Sequence, residues 1–300
     1  MTMNPARPDR PTVDVVVPFA GPTEALRALV RRLAALRIGP GDSLVVVDNR
    51  PGAPDEVRHP RVDVVAARER QSSYHARNRG AARGRAEWLL FVDADVEAPA
   101  DLLDRYFDPA PSERTAVLAG GIADALEPGE PETAVARYLL ASASMSQANT
   151  LREPWPYAQT ANCAVRRVAF EAIGGFDPAV RSGGDADLCF RLRAAGWELE
   201  SRDRALAAHH ARTTLAALVR QRARHGAGAA WLEDRYPGFF PRRGWLGLTR
   251  WSAAILGRAA SRALRGDRAA AAVLAIEPLS SWAFELGRLG SNRARGRRPA

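Results

Sequence analysis

Short apolar runs alternate with amphipathic segments along the first third of the chain. Four runs are apolar almost throughout, at residues 13–19, 44–47, 62–66 and 88–92. Runs of this length are typical of strands that are buried on both faces of a parallel sheet. Residues 26–36 carry leucine and valine at helical spacing, and residues 74–86 form a second predicted helix. This alternation predicts parallel βαβ units in a doubly wound α/β sheet.

The rest of the chain predicts further strands, short helices and a long helical region. Strands are expected at 116–122 and 161–165, and helices at 102–107, 133–146, 167–173 and 185–195. Beyond about residue 212 the pattern is wholly helical. We therefore predict a disordered N-terminus (1–11), an α/β domain (12–215) with halves of about 12–122 and 123–215, a helical extension (216–287) and a disordered basic tail (288–300).

The composition is that of a soluble globular protein, with 46% apolar and 26% charged residues. The formal net charge is +9, which raises the question of a nucleic-acid partner. All 43 basic residues are arginine, however, and they are spread along most of the chain. This uniform bias is more typical of a GC-rich coding sequence than of a phosphate-binding patch. We therefore expect no nucleic-acid partner.

Cysteine usage and the polar N-terminus predict a cytoplasmic setting. Cys163 and Cys189 show neither metal-ligand spacing nor a disulfide framework, so we interpret both as small buried hydrophobes. Residues 1–11 lack the apolar core of a signal peptide. No uninterrupted apolar stretch approaches the length that is needed to cross a bilayer.

An apolar face in the helical extension allows two interpretations. It is flanked by arginines and consists of Trp245, Leu246, Leu248, Trp251, Ile255 and Leu256. Such a face either packs on the domain or lies on a membrane surface. Packing is the more common case, and peripheral contact with the inner face of a membrane is the alternative.

Two aspartates, Asp93 and Asp95, directly follow the apolar run 88–92. Two carboxylates at the end of a buried strand repel each other unless a cation lies between them. Mg²⁺ is often held by one or two carboxylates together with substrate phosphates. Because ligands of open α/β sheets bind at the carboxyl ends of the strands, the pair predicts a metal–phosphate site there. At this point an Asp-x-Asp that only forms a turn or a helix cap remains the alternative.

Seven motifs resemble, in order and spacing, those of family 2 glycosyltransferases with the GT-A fold. They are Val-Val-Val-Pro-Phe (15–19), Val-Val-Val-Asp-Asn (45–49), Ala-Arg-Asn-Arg-Gly-Ala (76–81), Phe-Val-Asp-Ala-Asp (91–95), Ala-Asn-Cys-Ala-Val-Arg-Arg (161–167), Gly-Gly-Phe-Asp (174–177) and Gly-Gly-Asp-Ala-Asp-Leu-Cys-Phe-Arg-Leu (183–192). The resemblance covers roughly residues 12–230. It implies a Rossmann-like, mostly parallel sheet flanked by helices, and an inverting transfer of a sugar from a nucleoside-diphosphate donor. It also implies Mn²⁺ or Mg²⁺ as the cofactor, and it assigns the half at about 12–122 to the donor and the half at about 123–215 to the acceptor.

The resemblance implies which residues contact the donor. Asp48 and Arg77 contact the nucleobase, since a carboxylate can accept from a uracil-like edge and a guanidinium can donate to its carbonyl. Asp93 faces the ribose or reaches the metal through water, and Asp95 ligates the metal, whose charge offsets that of the departing diphosphate. The remaining contacts implied for the donor pocket are Pro18, Phe19, Ala20, Ala94 and, further along, Glu24.

On the acceptor side the resemblance implies that Asp185 is the general base. Family members usually carry Glu-Asp at this point, but here Gly184 stands where the glutamate is common, and this puts acceptor recognition in doubt. Asp187 is left as a capping or supporting acid. His209 is a candidate further metal ligand, chosen over His210 because it comes first after the short run 205–208, which is predicted to be a strand. Asn162 and residues 174–177 are implied to line the acceptor pocket.

Two other functions compete with this one. A sugar-phosphate nucleotidyltransferase usually has a glycine-rich, arginine-containing loop after its first strand, whereas this chain has Pro-Phe-Ala-Gly-Pro at 18–22. A GT-A-fold protein that binds nucleotide sugars without catalysis is the second alternative, and the glycine at 184 is compatible with it. The resemblance favours UDP as the donor nucleotide, with GDP and dTDP open, and leaves the acceptor unidentified.

Overall fold

The computed structural model describes residues 9–52, 57–126, 129–143 and 145–296, and these form two compact units. Unit 1 consists of residues 1–123, 145–209 and 293–300, and unit 2 consists of residues 124–144 and 210–292, each within the described ranges. Most of the N-terminus that was predicted to be disordered, residues 1–8, lies outside the described residues. The predicted division of the chain into domains stays a prediction.

Strands and helices alternate along the chain as the apolar pattern predicts. The strands are β1 (Val13–Phe19), β2 (Ser43–Asp48), β3 (Asp63–Ala66), β4 (Arg70–Gln71), β5 (Trp88–Val92), β6 (Val96–Glu97), β7 (Thr115–Ala125), β8 (Asn162–Arg166), β9 (Glu198–His210) and β10 (Arg295–Gly296). The helices are α1 (Thr23–Leu33), α2 (Ser73–Ala81), α3 (Leu102–Tyr106), α4 (Ala134–Ser142), α5 (Gln147–Arg152), α6 (Arg167–Ala172), α7 (Gly184–Ala194), α8 (Leu215–Arg235), α9 (Trp245–Leu264) and α10 (Arg268–Gly287).

Eight strands form one mixed sheet in the order β3-β2-β1-β5-β8-β7-β9-β6. The first four strands in this order are parallel to one another, because β1 pairs in parallel with both β2 and β5, and β2 pairs in parallel with β3. β8 then runs antiparallel to β5 and β7. The predicted α/β class, with a largely parallel sheet flanked by helices and a helical C-terminal region, is confirmed.

Strands β1, β2 and β5 are buried along nearly their whole length, which explains why they read as continuous apolar runs, whereas β3 at the edge of the sheet is only partly buried. Helix α2 lies close against this sheet because Gly80 has no side chain. A Cβ atom at Gly80 would collide with Val16 of β1 and would touch Val47 of β2. This close approach brings the side chains of α2 to the carboxyl ends of the strands.

Three very short strands were not predicted from the sequence. β6 pairs with the end of β9, so that Val96 lies opposite His209. β10 pairs with β4, so that Arg295 lies opposite Gln71. The described part of the predicted basic tail therefore includes regular structure, while residues 297–300 lie outside the described residues. A two-residue strand is too short to show a sequence periodicity, so its presence depends on pairing with another strand.

Unit 2 contains α4, α8, α9 and α10, with α10 packed on the other three. Glycines allow α8 and α10 to approach closely. A Cβ atom at Gly226 of α8 would collide with the carbonyl oxygen of Phe284, and one at Gly287 of α10 would collide with the carbonyl oxygen of Ala223. α9 packs on α10 with Leu248, Ser252, Ile255 and Ala259 buried, and the indole of Trp282 donates to the Ser252 hydroxyl at 3.0 Å.

Within the described residues, α10 has the length and apolar composition of a bilayer-crossing helix, with a mean hydropathy of 1.3 over its most apolar stretch. Glu277 and Glu285 interrupt its apolar sequence, so this helix does not contain an unbroken apolar run of bilayer length. In unit 2 the same helix packs on α8 and α9. Length and composition alone are shared by membrane spans and by packed helices of this kind.

We predict that Gly226→Ala lowers the stability of the protein by about 1–3 kcal/mol, because the added methyl group overlaps the α10 backbone. The matched control is Gly257→Ala in α9, where a Cβ atom meets nothing within 4 Å. That change should be neutral or stabilising by up to about 1 kcal/mol, since alanine is the better helix former. Urea unfolding measures both. Equal effects of the two substitutions would contradict the close packing of α8 on α10.

Candidate functional site

Two of the predicted donor-site aspartates lie at the carboxyl ends of β2 and β5, the two strands that flank β1 in parallel: Asp48 ends β2 and Asp93 follows β5. Phe19 of β1 lies beside Asp48 of β2, and Val16 of β1 lies beside Phe91 of β5. The side chain of Asp48 is buried and accepts from Arg50 through both carboxylate oxygens, at 2.8–3.1 Å. The Arg50 guanidinium lies over the Phe19 ring, 5.8 Å from its centroid. Asp48 is therefore neutralised by a neighbour that sequence reasoning did not identify.

Arg77 of α2 forms an ion pair with Asp93, the first residue after β5. The side chain of Arg77 is buried, and its guanidinium lies between two aromatic rings, 5.5 Å from the Tyr74 centroid and 5.9 Å from the Phe176 centroid. Its Nε atom is buried and has no hydrogen-bond partner among the residues that the structure describes. The structure thus places Arg77 beside Asp93, and the predicted contact with the nucleobase stays a prediction.

Local sequence fixes the orientation of α2. The Ser72 hydroxyl accepts from the backbone N–H groups of Tyr74 and His75 and caps the helix. On the same helix, the Asn78 side chain holds the backbone of Phe176, accepting from its N–H at 3.0 Å and donating to its carbonyl at 2.8 Å. Gly175 precedes this contact with φ of +69°, a conformation that favours glycine. The motifs at 76–81 and 174–177 are therefore joined by direct hydrogen bonds.

Asp95 and His209 form the second pair at this edge, with 3.7 Å between Asp95 Oδ2 and His209 Nε2. The pairing of β6 with β9 brings them together, since His209 lies opposite Val96. The histidine is buried and the aspartate is half-exposed. A carboxylate with an imidazole is a donor set that suits a divalent cation. Across the described ranges no three His, Cys, Asp or Glu side chains form a ready-made metal cluster, so phosphate oxygens would have to complete such a site.

Asp185 lies in the first turn of α7, in a partly buried position. Its Oδ1 accepts from the backbone N–H of Ala186 at 3.1 Å and from the Tyr74 hydroxyl at 3.4 Å. Burial raises the pKa of the Asp185 carboxyl above its ordinary value, and the charge of Arg77 partly opposes this effect while that of Asp93 adds to it. The predicted base and the predicted metal-site aspartate therefore lie within electrostatic reach of each other.

Asp187 has a structural role, in agreement with the sequence prediction of a supporting acid. It is fully buried, and Arg191 one turn later donates to its Oδ2 atom from Nε and from a terminal nitrogen, at 2.9 and 2.8 Å. The same guanidinium donates to the carbonyl oxygens of Ile173 and Gly175. This network ties α7 to the glycine turn.

Asn162 was implied to line an acceptor pocket, and the structure contradicts this. Its side chain is completely buried. The amide accepts from the Tyr106 hydroxyl at 2.8 Å and donates to the carbonyl oxygens of Gly121 and Ala205 at 2.9 and 2.8 Å. With its hydrogen-bonding capacity used inside the sheet, Asn162 holds β7, β8 and β9 together.

The other predicted donor residues lie around the same edge. Phe19 is buried, Pro18 is partly buried, and Ala20 is exposed. The carbonyl oxygen of Ala94 accepts from Arg32 of α1 at 2.7 Å. Glu24 is exposed on α1, near Arg27. No described interaction tests whether these residues contact a donor, so that assignment stays a prediction.

A family model described as glycosyltransferase-like family 2 matches residues 10–228 of the chain. The pre-mycofactocin glycosyltransferase of Mycobacterium tuberculosis is 31% identical over 247 residues, which are 78% of this chain and 50% of that protein. The glycosyltransferase AglE of Haloferax volcanii is 25% identical over 236 residues, or 75% of this chain and 76% of that protein. The chain spans about half the length of the first of these relatives.

Solved structures share the fold. The mannosyltransferase PcManGT from Pyrobaculum calidifontis, in complex with GDP-Man and Mn²⁺, superposes with a TM-score of 0.56 and 18% identity, over 95% of this chain and 75% of that chain. A mycobacterial protein superposes with a TM-score of 0.50 and 18% identity, over 75% of this chain and 74% of that chain. At this level of identity the likeness concerns the fold, and it confirms the GT-A architecture.

We predict that Asp185→Asn raises the melting temperature at pH 7. The raised pKa means that the native carboxyl holds its proton more tightly than the unfolded one does. Stability is therefore lost as the pH rises from the ordinary value near 3.8 through the raised value, and asparagine avoids this loss. The gain should shrink as the pH falls towards the ordinary value near 3.8, because the wild-type carboxyl then takes up its proton in the native state.

The matched control is Asp187→Asn, two residues along the same helix. It removes one charge of a buried ion pair and should cost about 3 kcal/mol at pH 7. Thermal unfolding at several pH values compares the two variants. A lower melting temperature for Asp185→Asn at neutral pH would show that burial does not disfavour the charged form of this carboxyl group.

Proposed function

Because the chain belongs to glycosyltransferase-like family 2, we propose that it transfers a sugar from a nucleoside-diphosphate donor to an acceptor, with inversion at the anomeric carbon. One observation carries this proposal: Asp93 and Asp95 directly follow β5 at the carboxyl edge of the parallel strands, and the carboxyl of Asp185, whose pKa is raised by burial, lies within electrostatic reach of Asp93. Carboxyl groups in such different environments suit different tasks in one reaction.

The acceptor half of the reaction falls to Asp185. As a carboxylate it takes the proton of the acceptor hydroxyl while that oxygen attacks the anomeric carbon. The bond from this carbon to the phosphate oxygen breaks, and its electron pair leaves with the nucleoside diphosphate. A base with a raised pKa holds the transferred proton more firmly, which favours transfer near neutral pH.

The residues at the edge of the sheet handle the donor in this reaction. A divalent cation held by Asp95 and His209 together with the donor diphosphate would offset the charge that the leaving group gains. Mn²⁺ and Mg²⁺ both suit this role, and the similar mannosyltransferase structure contains Mn²⁺. Arg77 brings a further positive charge to the same place while it orients Asp93.

For the nucleotide, the Asp48–Arg50 pair is the candidate contact with the base. Arg50 takes up both oxygens of the Asp48 carboxylate and also donates to the Thr23 hydroxyl, so a base at this place would meet a neutralised pair rather than a bare carboxylate. UDP sugars remain our first choice of donor. GDP sugars are the second, since the similar structure holds GDP-Man.

We predict that Asp95→Ala abolishes Mn²⁺-dependent release of nucleoside diphosphate and leaves the fold intact, because the substituted side chain is half-exposed. UDP-glucose and GDP-mannose are suitable first donors. Each donor is tested with and without MnCl₂. Binding is measured by thermal shift, and turnover is measured by release of the nucleoside diphosphate. The wild type should show a thermal shift with one donor that requires the metal, and the variant should lose it.

The control for this experiment is Glu97→Gln, which removes an exposed acid two residues further along the chain. It should retain turnover and the thermal shift. Wild-type turnover in Asp95→Ala would refute the metal assignment. Donor binding without any turnover in the wild type, across donors and acceptors, would favour the non-catalytic alternative.

The helical region suggests where the acceptor is met. Residues 235–266 contain seven arginines and no aspartate or glutamate. Of the apolar face predicted from the sequence, Leu248 and Ile255 are buried in unit 2, which supports the packing interpretation for that side of α9. The opposite side leaves a second apolar stripe exposed, the α9 outer stripe, made of Leu246, Ala253, Gly257, Ala260 and Leu264.

We propose that the α9 outer stripe rests on the surface of an anionic lipid bilayer. Leu246 and Leu264 are 76% and 90% exposed, which is unusual for leucines on one side of one helix. Arginines along α9 supply the charge that anionic headgroups complement, at roughly 1 kcal/mol for each residue near the surface. A cytoplasmic location with peripheral membrane contact fits this arrangement.

We predict that the protein co-sediments with vesicles of phosphatidylglycerol and phosphatidylcholine, but not with phosphatidylcholine alone, and that NaCl weakens the binding. The double variant Leu246→Glu/Leu264→Glu should lose binding, because it places two carboxylates in the headgroup region. Val168→Glu, at a residue 61% exposed on α6, is the control. Equal binding by wild type and double variant would overturn the proposal, as would a concentration-dependent dimer that the double variant abolishes.

A further inference from the structure

Gly184 stands directly before the candidate base, and an aromatic ring occupies the space that a side chain there would need. A Cβ atom built on Gly184 would lie 2.8–2.9 Å from three carbons of the Tyr74 ring. Real Cβ atoms do not approach other atoms so closely. The Tyr74 ring can therefore occupy this position only because residue 184 is glycine, although the two residues are 110 positions apart in the sequence.

Tyr74 is held rigidly in this position. Its side chain is buried, its ring packs on Phe176 with 5.4 Å between centroids, and the Arg77 guanidinium lies over its face. The Ser72 cap fixes the first turn of α2, from which the ring projects. A side chain packed on these sides has lost most of its freedom before any substrate binds.

The hydroxyl of this fixed ring points at the candidate base, with 3.4 Å between Tyr74 Oη and Asp185 Oδ1. This distance is long for a hydrogen bond between a hydroxyl and a carboxylate. Catalytic hydrogen bonds are often loose in the free enzyme and tighten when substrate binds. Together with Ala186 N–H, the phenol provides a second donor that selects one orientation of the carboxylate.

We propose that Tyr74 is the positioning residue for Asp185, and that its ring replaces the side chain that Gly184 lacks. The inference rests on the proposed role of Asp185 as the base. A neutral ring with a single hydroxyl then lies where a second carboxylate would otherwise be. The base is thus oriented by a hydrogen-bond donor rather than accompanied by another negative charge, which would resist its ionisation.

The first test is Tyr74→Phe, which keeps the ring and removes the hydroxyl. With the donor, UDP-glucose or GDP-mannose, that gives Mn²⁺-dependent turnover, kcat should fall roughly tenfold, the scale of one hydrogen bond to a charged group. KM for the donor and the melting temperature should stay near the wild-type values. An unchanged kcat would overturn the positioning role.

The second test exchanges the two side chains. Gly184→Glu alone should lower the melting temperature, because the new side chain overlaps the Tyr74 ring. Tyr74→Ala alone should also lower it, since it removes a buried aromatic side chain. The double variant Tyr74→Ala/Gly184→Glu should be more stable than the sum of the two effects, because the vacated space receives the glutamate. Additive losses would show that the two positions do not share this space.

Activity of Asp185→Asn separates the two proposals. If Asp185→Asn loses turnover roughly 10²–10⁴-fold and Tyr74→Phe loses none, the base assignment holds and the role of Tyr74 fails. If Asp185→Asn keeps wild-type turnover, the base assignment itself fails. Donor binding, followed by thermal shift, should persist in both variants and confirms that the donor side is intact.

Discussion

The site depends on the ion pair between Arg77 and Asp93. Asp48 ends β2, Asp93 and Asp95 follow β5, and the charge of Asp93 acts on the carboxyl of Asp185; like charges at close range resist ionisation together. Arg77 is held between two rings and cannot move to solvent, so it supplies a fixed positive charge at the end of β5. A fixed charge of this kind requires little reorganisation when the charge of a substrate develops.

The acidic side chains in this region differ in which neighbouring groups balance their negative charge. Asp48 and Asp187 each have an arginine that takes up one or both oxygens, and both are buried. Asp95 is half-exposed beside a buried histidine. Asp185 faces a hydroxyl and a backbone N–H instead of an arginine fork, and burial raises its pKa. The compensated acids hold the structure, and the less compensated ones remain available for chemistry.

Glycine decides much of the packing that brings these groups together. Gly80 lets α2 lie against the sheet, and Gly184 leaves room for the Tyr74 ring. In unit 2, Gly226 plays the same part for α8 and α10. In each case a missing side chain permits contact between elements that are distant in the sequence. Such a glycine cannot be distinguished from an ordinary turn or helix glycine without knowledge of its partner.

The sequence by itself determined strands β1, β2, β3, β5, β7 and β8 and most of the helices, the parallel half of the sheet and the sheet edge that carries Asp93 and Asp95. These follow from apolar runs and their spacing, which are local properties. Only the tertiary structure showed that Arg77 pairs with Asp93, that Arg50 covers Asp48, and that Asn162 serves the sheet interior. The reason is physical: the charge, burial and hydrogen-bond partners of a side chain depend on segments far away in the chain, which no local pattern specifies.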